Sequence, residues 1–313
     1  MRTIALEEHF LSRDIAARAG GPGEPWADAL DDLGEGRLAV MDAAGIDVQV
    51  LSLVAHGVQE LDPAPALELS RLANDRMAAT IAAHPGRFAA FATLPMSDPP
   101  AAVEELRRAI GDLGFVGAMI HGQTRGVFLD DPSMAPVLAA AEELGVPIYL
   151  HPGEPPQAVY DAYFSGLAPA VAARLSTAAW GWHAECGLHV LRLAATGVFD
   201  RFPGLQLIVG HMGEMLPFSL ARADQRLNPV VDLAASVADT VREHVHLTTT
   251  GYVTIPPLLC ALMVFGADRI LFAVDHPFSD SREGTAFLYT APLSPVDLHK
   301  IAHTNAEALL GIY

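Results

Sequence analysis

The chain reads as an α/β protein, a single (β/α)8 TIM barrel spanning residues 1–313 with long loops after strands 1 and 5. Three observations predict this. Short apolar runs rich in β-branched residues recur eight times, each followed by a stretch of helical period. A length of 313 residues suits one such barrel, and eight parallel strands joined by crossover helices close without an exposed edge. No GxGxxG follows the first strand, which weakens the competing doubly wound sheet that binds dinucleotides.

The predicted strands, in order, are Thr3–His9, Val48–Val54, Phe88–Leu94, Phe115–His121, Val146–His151, Leu205–His211, His246–Gly251 and Ile270–Asp275. Between and after them the helical period predicts Gly36–Ala44, Pro65–His84, Pro99–Leu113, Pro132–Leu144, Ala184–Phe199, Glu214–Leu227, Pro256–Phe265 and Pro295–Leu310. Several begin on Pro, whose missing N–H costs nothing in a first turn, and several end near Gly, as at Gly45, Gly114, Gly145 and Gly266. Two connections are long, Phe10–Glu35 and Pro152–His183. Both leave the C-terminal ends of strands, the active-site face of a barrel, and are expected to serve as lids or subunit contacts. The second carries Tyr160, Tyr163, Phe164, Trp180 and Trp182, rings that either line a pocket for a flat ligand or anchor the loop.

Composition narrows the function. With 51% hydrophobic and 18% charged residues the chain is too apolar for disorder. A net charge of −18 argues against nucleic acid and anionic membranes as partners. Lys300 is the only lysine, so a Schiff base, a phosphate-loop lysine or a carbamylated bridging lysine would each have to use it. The N-terminus reaches Glu7 and Glu8 before any apolar run long enough for a signal peptide, and the longest apolar segment, Ile255–Ala267, opens with IPP. Cys186 and Cys260 stand apart, as reduced packed thiols do, and a cytoplasmic location is expected.

The chemistry gathers at strand ends. Side chains alternate along a strand, so Glu7 and His9 share one face. Ile4 and Leu6 suit the helix-facing side, which leaves Glu7 and His9 to point into the barrel mouth. Other strands finish the same way: IYLHP at His151, IVGH at His211 and LFAVD at Asp275. In a barrel these endings converge on one rim. Glu7, His9, His151 and Asp275 offer two imidazole nitrogens and two carboxylates, a set suited to one divalent ion per chain, Zn²⁺ or Mn²⁺ with Mg²⁺ as a third candidate. His211 and Glu214 lie three apart at a strand-to-helix junction, so Glu214 can hold the His211 tautomer while His211 meets Asp275 or substrate. His244 and His246 form the more familiar HxH metal pair, but they open strand 7 and are read as structural. His121 and His276 are placed near the pocket. Arg222 is read as part of a solvated helix face, with an anionic substrate or a neighbouring subunit as its alternative contacts.

Six segments carry a resemblance: ALEEHF at Ala5–Phe10, YLHP at Tyr149–Pro152, WGWHAE at Trp180–Glu185, GVFDRFP at Gly197–Pro203, GHMGEMLPF at Gly210–Phe218 and DHPF at Asp275–Phe278. In order and spacing they resemble the amidohydrolase-related decarboxylases, nearest the γ-resorcylate and 2,3-dihydroxybenzoate decarboxylases. The resemblance implies a (β/α)8 barrel, a single divalent metal, and reversible non-oxidative decarboxylation of a hydroxybenzoic acid. The substrate would be a small aromatic carboxylic acid and the assembly a homodimer or homotetramer. Residue by residue, it places the metal on Glu7, His9, His151 and Asp275 and the catalytic roles on His211 and Glu214; the chemistry of ring protonation then makes Asp275 the expected proton donor, with His211 and Glu214 behind it. Ser279 stands where the family carries an acidic residue, and His56 where it carries a proline, and both departures bear on substrate identity. The same residues also allow a mononuclear hydrolase of a lactone or amide with Asp275 as base. A metal-free binding barrel is the remaining alternative, and its polar rim would be costly without a ligand.

Overall fold

A computed structural model describes residues 1–313. Eight parallel strands pair in sequence order: β1 (Ile4–Phe10), β2 (Val48–Leu53), β3 (Phe88–Thr93), β4 (Gly117–His121), β5 (Ile148–His151), β6 (Leu207–Val209), β7 (Val245–Thr248) and β8 (Ile270–Leu271). A parallel bridge between Leu6 and Ala273 joins first strand to last. The expected (β/α)8 barrel is the fold. No helix is long and apolar enough to cross a membrane.

Strands β4 and β5 end at His121 and His151 as predicted and β1 runs on to Phe10, whereas β2, β3, β6, β7 and β8 stop short of their predicted ends, β8 most of all. Beyond Leu271 the Phe272 carbonyl still accepts from the Leu6 N–H at 3.0 Å, and side chains add to the hold: Thr249 Oγ1 accepts the Ala273 N–H at 3.1 Å and donates to the Ala273 carbonyl at 2.9 Å. The Val274 N–H donates to Glu8 Oε1 at 3.0 Å. Such ends are free to bend and to aim the residues that follow.

Two apolar clusters account for the packing. The larger lies between the strands and the surrounding helices. The smaller fills the barrel interior with Ile4, Leu6, Val50, Phe91, Met119, Tyr149, Ile208 and Leu271, and Ala306 and Leu310 of the C-terminal helix join it. Ile4 and Leu6 therefore face inward, opposite to the expected side. Glu7 still reaches the interior because it adopts φ 63° in a bulge that shifts the β1–β2 register between Ala5 and Glu8. Strict alternation would have turned Glu7 outward; the bulge resets the count and leaves both Glu7 and His9 inside.

Most predicted helices appear with shifted ends, including Glu35–Ala44, Pro63–Ala83, Pro99–Gly111 and Gly181–Ala195. Outside the two long loops, two helices were not anticipated. Val237–His244 is capped by Ser236, whose Oγ accepts the Asp239 N–H at 3.1 Å. Ser281–Thr290 is capped by Asp280, and its interior Gly284 masks the helical signal. The packing there is tight, since a Cβ at Gly284 would stand 3.2 Å from a Val274 methyl. The long loop after β1 folds into short helices Arg13–Ala19 and Ala27–Asp31, and the loop after β5 into Gln157–Tyr163 and Pro169–Ser176.

Several buried imidazoles stay neutral in the folded state. Burial pushes His189 down to about 3, with nearby Arg192 adding to the shift against Asp130, and the Leu129 N–H donates to its Nε2 at 2.8 Å. Burial and Arg269 do the same to His246. In the unfolded chain these groups titrate near about 6.5, so below that pH the unfolded state binds protons that the folded state refuses. Stability should therefore fall as the pH drops from about 6.5 toward 3, with each group contributing a slope of up to about 1.4 kcal/mol per pH unit. Denaturant titrations between pH 7 and 4.5 should show a shallower decline for His189→Gln than for wild type.

Candidate functional site

Glu7 sits at the centre of the barrel mouth, fully buried. One of its oxygens, Oε2, accepts from the Tyr149 hydroxyl, from Thr250 Oγ1 at 2.5 Å and from Thr248 Oγ1 at 3.5 Å. The other, Oε1, is buried with no hydrogen-bond partner. It faces His151 Nε2 at 3.3 Å and His211 Nε2 at 3.8 Å. Burial raises the cost of this charge, but His211, His151 and His9 outweigh it and hold the carboxyl well below the usual carboxylate range. Gly210 stands beside it by necessity, because a Cβ there would lie 2.9 Å from Glu7 Oε2.

The imidazoles are oriented from behind. His151 Nδ1 is 2.7 Å from the Pro152 carbonyl and so donates to it, leaving Nε2 as a lone pair aimed at Glu7. His9 Nδ1 lies 3.1 Å from Ser52 Oγ, and His9 Nε2 is 3.3 Å from Asp275 Oδ1. The Glu8 carboxylate, on the opposite face of β1, takes Gln49 Nε2 at 2.9 Å as well as the Val274 N–H, while buried Arg37 donates to the His9 carbonyl. These bonds tie β1 to β2 and to the chain just before Asp275.

The expected set thus converges. Donor atoms of Glu7, His9 and His151 lie within 4.8 Å of one another, with Asp275 against His9. Ligands bound to a single ion at about 2.1 Å stand about 3.0–3.4 Å apart. The spacings of 3.3 Å fit, and the orphaned Glu7 oxygen opposite an imidazole lone pair calls for a cation between them. Asp275 is 18% exposed, against 0–4% for the other three, so it is the member of the set open to a substrate.

His211 and Glu214 meet as expected, with Nδ1 2.6 Å from Oε1, although no helix starts there. His211–Met215 is a run of positive φ values between 50° and 87°, and the regular helix begins at Leu216. A left-handed backbone costs roughly 1–2 kcal/mol per non-glycine residue, and in this run only Gly213 escapes the penalty. Asp275, at φ 77°, is also left-handed. Such conformations collect at functional sites. Against the desolvation of its buried ring, Glu214 and Glu7 raise His211 to about 10; burial works against Glu214 too, yet His211 and His183 bring it to about 2.

His183 was not singled out by spacing, yet its Nδ1 is 2.5 Å from Glu214 Oε2. Of the aromatic set in the second long loop, only Trp182 approaches the centre, 6.1 Å from the His151 ring. Tyr160, Tyr163 and Phe164 pack on one another, and Trp180 is exposed. The wall is completed by Phe278, 6.0 Å from His9, by Trp26 of the first long loop, 5.4 Å from Phe278, and by Tyr252, 6.3 Å from His211. His121 stands 5.0 Å from His151, whereas His276 lines a cleft with Val40 and Ala43 outside the site. His56 pairs with Glu154 at 3.6 Å across a polar cavity of about 420 Å³, and Arg222 bonds only to Gln225 on its own helix. His244 stacks on Phe199 and donates to the Leu205 carbonyl at 2.9 Å, and His246 takes Arg269 at 2.9 Å. Neither reaches the cluster.

The chain belongs to the amidohydrolase family, whose pattern it matches over residues 8–312. It is 39% identical to a γ-resorcylate decarboxylase from a Rhizobium species, covering 99% of this chain and 98% of the relative. Its structure superposes with a TM-score of 0.90 on a 2,6-dihydroxybenzoate decarboxylase from Rhizobium, at 38% identity over 99% of both chains. A dihydroxybenzoic acid decarboxylase from Polaromonas sp. JS666, solved with manganese and the inhibitor 2-nitroresorcinol, gives 0.89 at 36% identity over 99% of this chain and 97% of that one.

Three substitutions test the centre. Tyr149→Phe removes one donor from Glu7 Oε2 and should weaken divalent-metal binding about 10- to 100-fold, read by titration of chelator-stripped protein. His151→Ala should lose the metal in elemental analysis, while a folded His246→Ala protein should keep it.

Proposed function

We propose that the protein is a metal-dependent, non-oxidative decarboxylase of a hydroxybenzoate-type aromatic acid, a carbon–carbon lyase holding one divalent ion on Glu7, His9, His151 and Asp275. The observation that carries this reading is the buried, partnerless Glu7 Oε1 facing imidazole nitrogens, in a chain related over its whole length to decarboxylases of hydroxybenzoates. Manganese in the Polaromonas relative supports Mn²⁺ as the ion, with Zn²⁺ as the alternative. When bound, the ion supplies Lewis acidity that favours the phenolate and fixes the ring by chelation.

The protein's own residues do the rest. Trp182, Phe278 and Tyr252 form aromatic walls for a flat ring and restrict water. Asp275, the most exposed acid of the set, takes up the phenolic proton when the phenolate forms and delivers it to the ring carbon that bears the carboxylate. A C–H bond forms there and aromaticity is lost; the bond to the carboxylate then breaks, its electron pair returns to the ring, and CO₂ leaves. His211, backed by Glu214, holds an N–H at Nε2 toward the pocket and stabilises the carboxylate that Asp275 becomes. Exposed Leu188, Phe218, Leu259 and Met263 support assembly into a homodimer or homotetramer, and the two free cysteines support a cytoplasmic location.

Turnover of ortho-hydroxybenzoates in D₂O should place one deuterium at the carbon that lost CO₂, as read by product mass and NMR. An unlabelled phenol would reject ring protonation, and cleavage of lactones or amides without CO₂ release would replace the reading by hydrolysis. Asp275→Asn, loaded with metal, should show no detectable turnover, because the amide cannot supply the proton; near-normal activity would refute its role. Removing Glu214 should cost about 10- to 100-fold, less than removing His211 or Asp275.

A further inference from the structure

The WGWHAE segment at Trp180–Glu185 places His183 directly behind the site. His183 is 6% exposed and lies between two acceptors, with Nδ1 2.5 Å from Glu214 Oε2 and Nε2 2.9 Å from the Ala178 carbonyl. The carboxylate at Nδ1 is the stronger acceptor, so His183 donates from Nδ1 to Glu214. The other Glu214 oxygen accepts from His211 Nδ1 at 2.6 Å, so one carboxylate spans two imidazoles whose ring centroids are 4.9 Å apart. With His211 as its only partner, the carboxylate could rotate and the His211 ring would follow it. A second donor on the second oxygen removes that freedom.

The backbone makes this hold necessary. Glu214 belongs to the left-handed His211–Met215 run, which is locally unfavourable and persists only where its surroundings fix it. Helix Gly181–Ala195 supplies the fixing surface: Gly187 packs so closely that a Cβ would lie 2.6 Å from the Glu214 carbonyl oxygen, and His183 grips the side chain. The far side of His183 is anchored by Ala178, in the turn that closes the long loop after β5, where the Trp180 and Trp182 N–H groups both donate to the Thr177 carbonyl.

We propose that His183 is a positioning residue that locks the Glu214 carboxylate behind His211 from the end of the β5 loop. The proposal rests on the reading above in which His211 and Glu214 serve the decarboxylation.

The test compares full-length, metal-loaded wild type with His183→Phe, which keeps the ring volume without a donor, and His183→Asn, whose amide replaces Nδ1 toward Glu214 but does not reach Ala178. His183→Phe should lower kcat by about 10- to 100-fold with KM and metal content unchanged, and His183→Asn should restore most of that loss. Equal loss in both variants, or a raised KM at unchanged kcat, overturns the proposal. If His183→Phe does not fold, His183→Gln replaces it, since the longer amide mimics Nε2 and should rescue less than Asn; the reverse order also overturns it. The second readout needs no turnover. In ¹⁵N-histidine-labelled, substrate-free protein, the His211 Nδ1 proton shared with Glu214 should persist in wild type and His183→Asn and exchange faster with solvent in the variant that lacks the donor. Unchanged exchange refutes the proposal. A wild type inactive on every hydroxybenzoate would refute the decarboxylase reading instead, and the exchange comparison would still decide the role of His183.

Discussion

The rest of the site depends on one buried charge. Glu7 places a carboxylate at the centre of a barrel filled otherwise by Leu6, Phe91, Ile208 and other apolar side chains. Removing an ion from water costs several kcal/mol even after relaxation, so the fold has to surround it with compensation. It does so asymmetrically: three hydroxyls satisfy Oε2 and imidazoles face Oε1. The asymmetry makes one oxygen structural and leaves the other available as a ligand.

Delivering that charge inward requires a break in strand regularity, and the same device recurs around the rim. Glu7, His211, Glu214 and Asp275 all adopt positive φ, a region that L-residues other than glycine avoid. At Glu7 the effect is a bulge that turns a second consecutive residue inward; at His211–Met215 it is a left-handed turn that brings residues i and i+3 together. The cost is met by hydrogen bonds from neighbouring strands and helices, including those of Glu8, Arg37 and His183. Local backbone preference is set aside where chemistry is placed, and the surrounding barrel supplies the rigidity that makes this stable.

The two long loops contribute unequally. The first brings Trp26 against Phe278, and the second brings Trp182 near His151, while its remaining aromatic residues stay among themselves or in solvent. The pocket wall is therefore assembled from distant parts of the chain around the candidate metal cluster.

The sequence by itself determined the barrel, since eight apolar runs alternating with helical period leave few other topologies, and it marked a candidate ligand set, since polar residues closing apolar strands have one rim on which to meet. It also marked His244 and His246 as lying at the wrong end of β7. Only the tertiary structure decided how Glu7 faces inward, because alternation alone puts Leu6 and Glu7 on opposite sides and the bulge has no local signature. Only the tertiary structure brought His183 to Glu214, 31 residues apart across two elements, and selected Trp182 from five loop aromatics. Periodicity is a local property carried by neighbouring residues, whereas register shifts, left-handed turns and contacts between remote segments are stabilised by atoms that meet only after the barrel has closed.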